Sequence, residues 1–384
     1  MVANNNISEI MPRIFVLGAS NHHNTLSMIR CLGFEGFAVE LVIVGSTVGC
    51  AAKSKYVNHL WILDNNSEII PFLIEECHKE DGGVVIISCD DTTASLLDDH
   101  ANEFDENCIF FHTDKQGDLS LYMNKLNQVV LARQIGFQVP DSVIYEEDKQ
   151  IEDFDSYPCI IKPLESIHGG KKIEICTNET ELKKRLRNFS SGDRLLIQQF
   201  VNREKELVVL GLSTKSEIII GAVIEKIRDN KGGTTFSKVC AKECLPSEIV
   251  AYSKEMIKRI GYHGLFGIEL IKSDGKLYFV EINLRNDATC YSLAKAGINL
   301  PVIWVKDALK MKLPNMDEYT VREIYSMVEL KDFRSLLKGK VTPWRWLQQL
   351  YHSECLYYYD SHDIKPFLYA VLEIVSRPFY RIVS

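Results

Sequence analysis

Near residue 280 an apolar run changes character. Leu277, Tyr278, Phe279, Val280 and Ile282 are strand formers, and Glu281, Asn283 and Arg285 follow at alternate positions. Side chains on a strand alternate faces, so these three polar groups are expected on one side. A carboxylate, an amide oxygen and a guanidinium on one surface suit oxygen ligation of Mg²⁺ beside a cation that holds a phosphate or carboxylate. A second apolar run at 265–271 contains Glu269, and Asp274-Gly275 between the runs signals a hairpin. Register decides whether the two acids meet. A two-residue turn pairs Ser273 with Lys276, sets Ile268 opposite Glu281 and sends Glu269 to the other face. A three-residue loop, Asp274-Gly275-Lys276, pairs Ser273 with Leu277 and sets Glu269 opposite Glu281. Gly275 suits the positive φ of such a loop, so the three-residue form is expected.

The first third of the chain alternates strand and helix patterns. Strands are expected at 13–17, 38–44 and 84–88, and helices at 25–32 and 67–79, with Gly33 closing the first helix. Such alternation implies a parallel, doubly wound sheet. The turn Gly18-Ala-Ser-Asn-His-His is not the glycine fingerprint of a dinucleotide site. Ser20, Asn21 and Asp90 fall at expected strand ends, where open α/β sheets bind ligands, although turn and helix-cap chemistry explains them as well. His22 and His23 are adjacent, and neighbouring residues on a helix or strand do not face one site, so a metal role is not expected. Residues 311–384 hold Trp344, Trp346 and Tyr357-Tyr358-Tyr359, and 366–375 reads as an apolar helix that packs on the core or, as the alternative, offers a hydrophobic face to a partner or membrane surface.

A length of 384 residues allows two or three domains, and 46% hydrophobic with 25% charged residues is ordinary for a globular chain. A net charge of −8 argues against a general nucleic-acid or anionic-membrane surface. Eleven cysteines, without CxxC or zinc spacing, cannot all form intrachain disulfides and point to a reducing, cytoplasmic setting, with Cys240 and Cys244 read as free thiols. No signal peptide is evident, and the longest apolar runs are strand-sized, far short of the roughly 20 residues of a membrane span.

The E…ExNxR pattern of Glu269, Glu281, Asn283 and Arg285 resembles the metal motif of the ATP-grasp superfamily, as it stands in biotin carboxylase and carbamoyl phosphate synthetase. Further landmarks follow upstream in order. Lys125, before a helix that exits at Gly136-Phe-Gln-Val-Pro140, is similar to the family's first nucleotide lysine. Lys162, in Pro158-Cys-Ile-Ile-Lys-Pro163, is similar to the second. Residues 166–172, with His168, Gly169 and Gly170, resemble the flap over the phosphates. The segment 195–201, with Gln199, Phe200 and Val201, resembles the hinge that holds adenine, and Glu206 stands where the family places its ribose-binding acid. The residues themselves suit such work: the Lys162 stem can lie in an apolar wall while its head meets phosphate, and the glycine pair admits close approach of backbone N–H groups. Gln199 stands where many relatives carry Glu. Gly267 stands where D-alanine–D-alanine ligases carry Arg, which leaves Arg285 as the candidate catalytic cation.

The resemblance covers about residues 120–310. It implies a mixed α/β and α+β fold: an N-terminal doubly wound parallel α/β domain (1–120), an ATP-grasp core (121–310) and a small, mostly helical C-terminal extension (311–384). It implies an ATP-dependent ligase that activates a small-molecule carboxylate as an acyl phosphate for attack by an amine, such as an amino acid, and releases ADP and phosphate. Lys125, Lys162, His168, Gly169, Gly170, Gln199, Phe200, Val201 and Glu206 would bind ATP. Glu269, Glu281 and Asn283 would ligate Mg²⁺, or Mn²⁺ in its place. The alternatives are an ATP-binding module without turnover and a nucleotide-cofactor oxidoreductase built on 13–90, the latter disfavoured by the missing fingerprint. A homodimer is left open, and the substrate roles of 228–236 are unassigned.

Overall fold

The structure, a computed structural model, describes residues 12–80, 82–145, 154–164, 174–189, 194–230, 233–313 and 320–383. The expected strand–helix alternation builds a parallel sheet from β1 (Arg13–Leu17), β2 (Val39–Val44), β3 (Val57–Leu63), β4 (Val84–Ser88) and β5 (Cys108–Phe110), in the order β3-β2-β1-β4-β5. The two faces of β1 show why. Ile14 and Val16 pack with Leu26 and Ile29 of the helix His23–Gly33, while Phe15 and Leu17 pack with Ile69, Leu73 and Leu97 of the helices behind. A strand buried on both faces needs the uniformly apolar sequence found here. The loops at the C-terminal ends of β1 and β4 lead into helices capped by His22 and Asp90, whose side chains accept from Asn24 N and Thr93 N. Asp90 is thus occupied by cap chemistry, and the Ser20 hydroxyl likewise serves its turn, donating to Thr47 O and accepting from Gly49 N.

The short β6 (His112–Thr113) leads to the helix Lys125–Ile135, which ends on Gly136 at φ +115°, a conformation that favours glycine. A four-stranded antiparallel sheet follows: β7 (Ser142–Tyr145), β8 (Cys159–Pro163), β9 (Glu174–Cys176) and β10 (Leu195–Gln199), ordered β7-β10-β8-β9. The larger sheet contains β11 (Lys205–Ser213), β12 (Ile218–Asn230), β13 (Gly233–Cys240), β14 (Tyr262–Ser273) and β15 (Lys276–Asn283). Residues 311–384, expected as mostly helical, also supply β16 (Tyr325–Met327) and β17 (Ser353–Leu356). These extend the sheet to the order β15-β14-β11-β12-β13-β16-β17, with β6 paired to β14. The expected helix at 366–375 lies within Lys365–Val383. Among the described residues no helix is long and apolar enough to cross a membrane. Nine cysteines are free, Cys240 and Cys244 among them, while Cys77 and Cys108 are joined between a helix and β5.

The C-terminal segment is tied to the first helix by a buried charge. Arg30 is 0% exposed. Its guanidinium donates to Asp363 Oδ2 at 3.0 Å and to the carbonyls of Tyr357, Tyr358 and Asp363 at 2.8–2.9 Å. Asp363 also accepts from Ser54 Oγ at 2.8 Å and Lys55 N at 2.9 Å, so the carboxylate is fully engaged. The planar fork of an arginine serves four acceptors that a lysine could not. Removing one partner of such a pair strands the other charge away from water. Arg30→Ala is expected to destabilise the chain by about 3–5 kcal/mol in urea unfolding. A loss below about 1 kcal/mol would show that the carboxylate finds water or another partner.

Candidate functional site

The two acids of the hairpin do face each other, but by a different device from the one expected. The turn has two residues: Ser273 pairs with Lys276, and Asp274 and Gly275 take φ of +48° and +75°. Both central residues lie at positive φ, the requirement of the tight turn that Asp-Gly favours, so the three-residue loop is corrected to this one. The register then shifts between Glu269 and Leu270: Leu270 pairs with Phe279 and Glu269 with Glu281, leaving Val280 as the extra residue of a β-bulge. The bulge also explains why Phe279 and Ile282, three apart, are both buried, at 0% and 3% exposure. On the outer edge of β15, Phe279 N donates to Gln138 O at 2.8 Å. The Gln128 side chain pairs with both Ile282 N (3.1 Å) and Ile282 O (3.0 Å). These bonds fasten the helix Lys125–Ile135 to the strand that carries Glu281.

Lys125 stands at the start of that helix, with Nζ 3.6 Å from Glu281 Oε2. Lys162, on β8, is 4% exposed. Burial and, after it, the Lys125 charge lower its pKa to about 8 against the opposing pull of Glu281 and Glu269. Three of the expected landmarks therefore meet at one place. Asn283 ends β15, and Arg285 lies two residues beyond the strand rather than on it. Arg285 folds back, donating to Asn283 Oδ1 at 3.3 Å, to Asn286 O at 3.1 Å and to Asp91 Oδ1 at 2.6 Å. Burial opposes its charge, but Asp91 and Asp287 hold its pKa above the ordinary value.

Sequence reasoning missed Lys226. On one face of the large sheet, Glu281 lies opposite Glu269 and Glu269 opposite Val208; two residues along β11, Glu206 lies opposite Lys226, Lys226 opposite Ser237, and Ser237 opposite Ser326. Lys226 Nζ bridges Glu206 Oε1 at 2.6 Å and Glu269 Oε2 at 2.8 Å. Burial works against this ammonium, yet Glu269 and Glu206 raise its pKa. Burial, with Glu281 adding to it, raises the Glu269 pKa to about 7 against the pull of Lys226. The other Glu206 oxygen accepts from Arg203 at 2.6 Å, so the carboxylate read as a ribose ligand is held by two cations. In the expected hinge, Gln199 N donates to Asp141 O and Phe200 N to Pro158 O, both at 2.8 Å, and these two groups are committed within the protein; Val201 follows them. His168, Gly169 and Gly170 lie outside the described residues.

Two cavities adjoin this constellation. One, of about 450 Å³, is lined by Lys125, Gln128, Glu281 and Asn283. The other, of about 360 Å³, is lined by Glu269, Lys226, Arg285, His22, His23 and Tyr357, among others. Asp91 lines both, so its ion pair with Arg285 stands between them. Among the described residues no three His, Cys, Asp or Glu side chains form a metal-binding group. The opposed Glu269 and Glu281 with the Asn283 amide offer a partial oxygen shell. Mg²⁺ is suited to such a site, because it takes its remaining ligands from water and phosphate. Lys226 and Lys125 each engage one oxygen of the acid pair, and the remaining carboxylate oxygens are hard donors of the kind this ion takes.

Residues 130–298 match the family model of the ATP-grasp domain. A carbamoyl phosphate synthase large chain of Gemmatimonas aurantiaca is 28% identical over 186 residues, 45% of this chain and 17% of that one. A formate-dependent phosphoribosylglycinamide formyltransferase of Bacillus velezensis is 24% identical over 199 residues, 49% of this chain and 52% of that one. This chain thus spans a fraction of the carbamoyl phosphate synthase and about half of the formyltransferase. The ADP complex of purK, an N5-carboxyaminoimidazole ribonucleotide synthetase, superposes with a TM-score of 0.66 at 16% identity, covering 86% of this chain and 85% of that one. An L-amino acid ligase from Bacillus licheniformis superposes at 0.63 with 15% identity, covering 82% and 79%. These likenesses mark residues 130–298 as similar to an ATP-grasp domain, and the fold of the chain as similar to that of the purK synthetase and the amino acid ligase.

Proposed function

We propose that the chain is an ATP-dependent carboxylate–amine ligase, in which ATP phosphorylates a carboxylate and an amine displaces phosphate from the acyl phosphate. The observation that carries this reading is the meeting of Glu269 and Glu281 across the β14–β15 ladder, with Lys125 and Lys162 beside them and Arg285 just beyond the strand end. The related proteins support the reaction class: purK is a carboxyaminoimidazole ribonucleotide synthetase, and the Bacillus licheniformis protein ligates amino acids.

Each side chain has a task set by its surroundings. Lys162 sits in an apolar wall with no carboxylate in salt-bridge contact among the described residues, so a phosphate oxygen would relieve its desolvation. Lys125 shares that region and is partly satisfied by Glu281. Glu269, Glu281 and Asn283 would hold Mg²⁺, which when bound offsets charge on the transferring phosphoryl group. Lys226 orients Glu269 from the side opposite Glu281 and keeps Glu206 in line. Arg285, aligned by Asp91, suits the developing charge on a carboxylate or its acyl phosphate. His168, Gly169 and Gly170 are proposed as the phosphate flap, Gln199, Phe200 and Val201 as the adenine side, and Glu206 as the ribose side; these three groups rest on the family pattern.

Lys162→Ala is expected to weaken ATP binding by about 1.5–3 kcal/mol, roughly ten- to a hundredfold, with unfolding stability retained or improved. Titration calorimetry tests this, and an unchanged affinity would remove Lys162 from the nucleotide site. Given the right carboxylate with ATP and Mg²⁺, the products should be ADP and phosphate, and added hydroxylamine should be converted to a hydroxamate. Glu281→Gln should abolish hydroxamate formation, because phosphoryl transfer depends on metal positioning. AMP and pyrophosphate as products, or no turnover of well-folded protein across a broad carboxylate screen, would count against the ligase.

A further inference from the structure

The helices Glu329–Leu337 and Pro343–His352 pack against each other in the C-terminal segment, with the Phe333 and Trp346 rings in edge contact at 5.7 Å. Their inward face is complete. Leu336, Val341, Trp346 and Leu350 pack on Phe236, Met327 and Leu356 of the large sheet. Polar ties hold the pair there: Asp332 accepts from Arg228 at 2.6 and 2.9 Å and from Trp346 Nε1 at 2.9 Å, and Asn230 donates to Ser335 Oγ at 2.6 Å. Burying one stripe is all that the fold asks of a surface helix, and the opposite face is ordinarily polar.

Here the opposite face is apolar as well. Phe333 and Leu337 project from the first helix, and Trp344, Leu347 and Tyr351 from the second, at the spacings that share one helix face. Leu337 and Trp344 are each 71% exposed and Tyr351 is 86% exposed. Both helices rest on one cluster, so both outer stripes turn away from it. Scattered apolar residues on a surface are normal, but a contiguous apolar patch marks an interaction site.

The charges around the patch say what covers it. Residues 333–353 contain Arg334, Lys338, Lys340 and Arg345 and no Asp or Glu, in a chain of net charge −8. All four cations are exposed, and among the described residues none is in salt-bridge contact with a carboxylate. The flanking acids are engaged elsewhere: Asp332 is buried under the helices, and Glu354 pairs with Arg322 at 2.9 Å. A two-fold contact between copies through this patch would set the cations against one another. An interfacial helix, by contrast, combines basic side chains with Trp, Tyr and Leu, whose apolar bodies enter the headgroup boundary.

We propose that the outer face of these two helices is a peripheral docking surface for an anionic lipid membrane. Leu337, Trp344, Leu347 and Tyr351 enter the boundary between headgroups and acyl chains, while Arg334, Lys338, Lys340 and Arg345 meet the lipid anions. The overall charge of −8 argues against a general anionic-membrane surface, so contact is confined to this patch and is sensitive to salt. None of these residues lines either cavity of the candidate site, and the surface does not rest on the ligase reading.

The test is flotation of the full chain with vesicles of phosphatidylcholine alone and of phosphatidylcholine with about one-third phosphatidylserine. The chain should float with the anionic vesicles, far less with the neutral ones, and lose about tenfold or more in affinity between about 0.05 M and about 0.3 M salt. Leu337→Ser with Trp344→Ser should weaken binding by about tenfold or more, and Lys338→Glu with Arg345→Glu by a similar factor. All four side chains are exposed, so urea unfolding of both double variants should match that of the parent. No flotation with the anionic vesicles, or flotation that both double variants leave intact, would overturn the proposal. Self-association without flotation, lost in the same variants, would also overturn it and give the face to a second copy of the chain.

Discussion

Val280 controls the geometry of the candidate site. The tight turn at Asp274-Gly275 begins a pairing in which Glu269 and Glu281 would leave opposite faces of the sheet. One extra residue on β15 shifts the register and brings them onto the same face. The arrangement opposes two like charges, a cost that Lys226 offsets on one side and Lys125 on the other. The bulge would leave edge amides of β15 unpaired, but Gln138 and Gln128 satisfy those of Phe279 and Ile282. The same bonds fix the helix that presents Lys125. Acid pair, lysine and strand edge are therefore one mechanical unit.

The meeting of Glu269 with Glu281 was legible in the sequence, and the means was not. Residues 277–280 are uniformly apolar, so no change of alternation marks where the register slips. Asp-Gly, taken by itself, favours the two-residue turn that forms. The parallel sheet was legible because its buried strands and capped helices carry strong local signals. β16 and β17, of three and four residues, are too short to show a period, and their segment reads as helical from its longer runs. Lys226, between Glu225 and Ile227, resembles any solvated lysine until the β11–β12 ladder sets it against Glu206. His22 and His23 failed a rule about neighbours on a regular element. His22 is instead the helix cap, with extended backbone, so its ring is free to lie beside that of His23 at 4.3 Å.

The row of charges across the large sheet shows how a polar site is kept inside a protein. Glu281, Glu269, Lys226 and Glu206 would each be costly alone in partial burial. Placed on neighbouring strands, each acid meets a cation, and Glu206 meets a second in Arg203. Lys162 is the exception: it is buried beside another lysine, and the acids that favour its charge do not restore its ordinary pKa. A group held at such a cost lowers stability unless its charge is used, which is the behaviour expected of a binding residue rather than a structural one.

The C-terminal segment can be judged in the same way. The carbonyls of Tyr357 and Tyr358 accept from Arg30, and the N–H groups of Tyr357, Tyr358 and Tyr359 donate to Glu329 at 2.6–3.0 Å. Burial raises the Glu329 pKa to about 7 against the pull of those three N–H groups. The backbone is thus gripped from both sides by buried ionisable groups, one from the first helix and one from the segment itself. Such a grip fixes position more than it adds stability, because desolvating a charge cancels much of the gain from its hydrogen bonds. What it fixes is the Tyr357 ring, which lines the cleft together with Ser326. With its carbonyls held by the first helix and its N–H groups by Glu329, the segment that follows β17 is fixed where β17 pairs with β16, so the C-terminal residues join the large sheet instead of standing apart as a helical appendage.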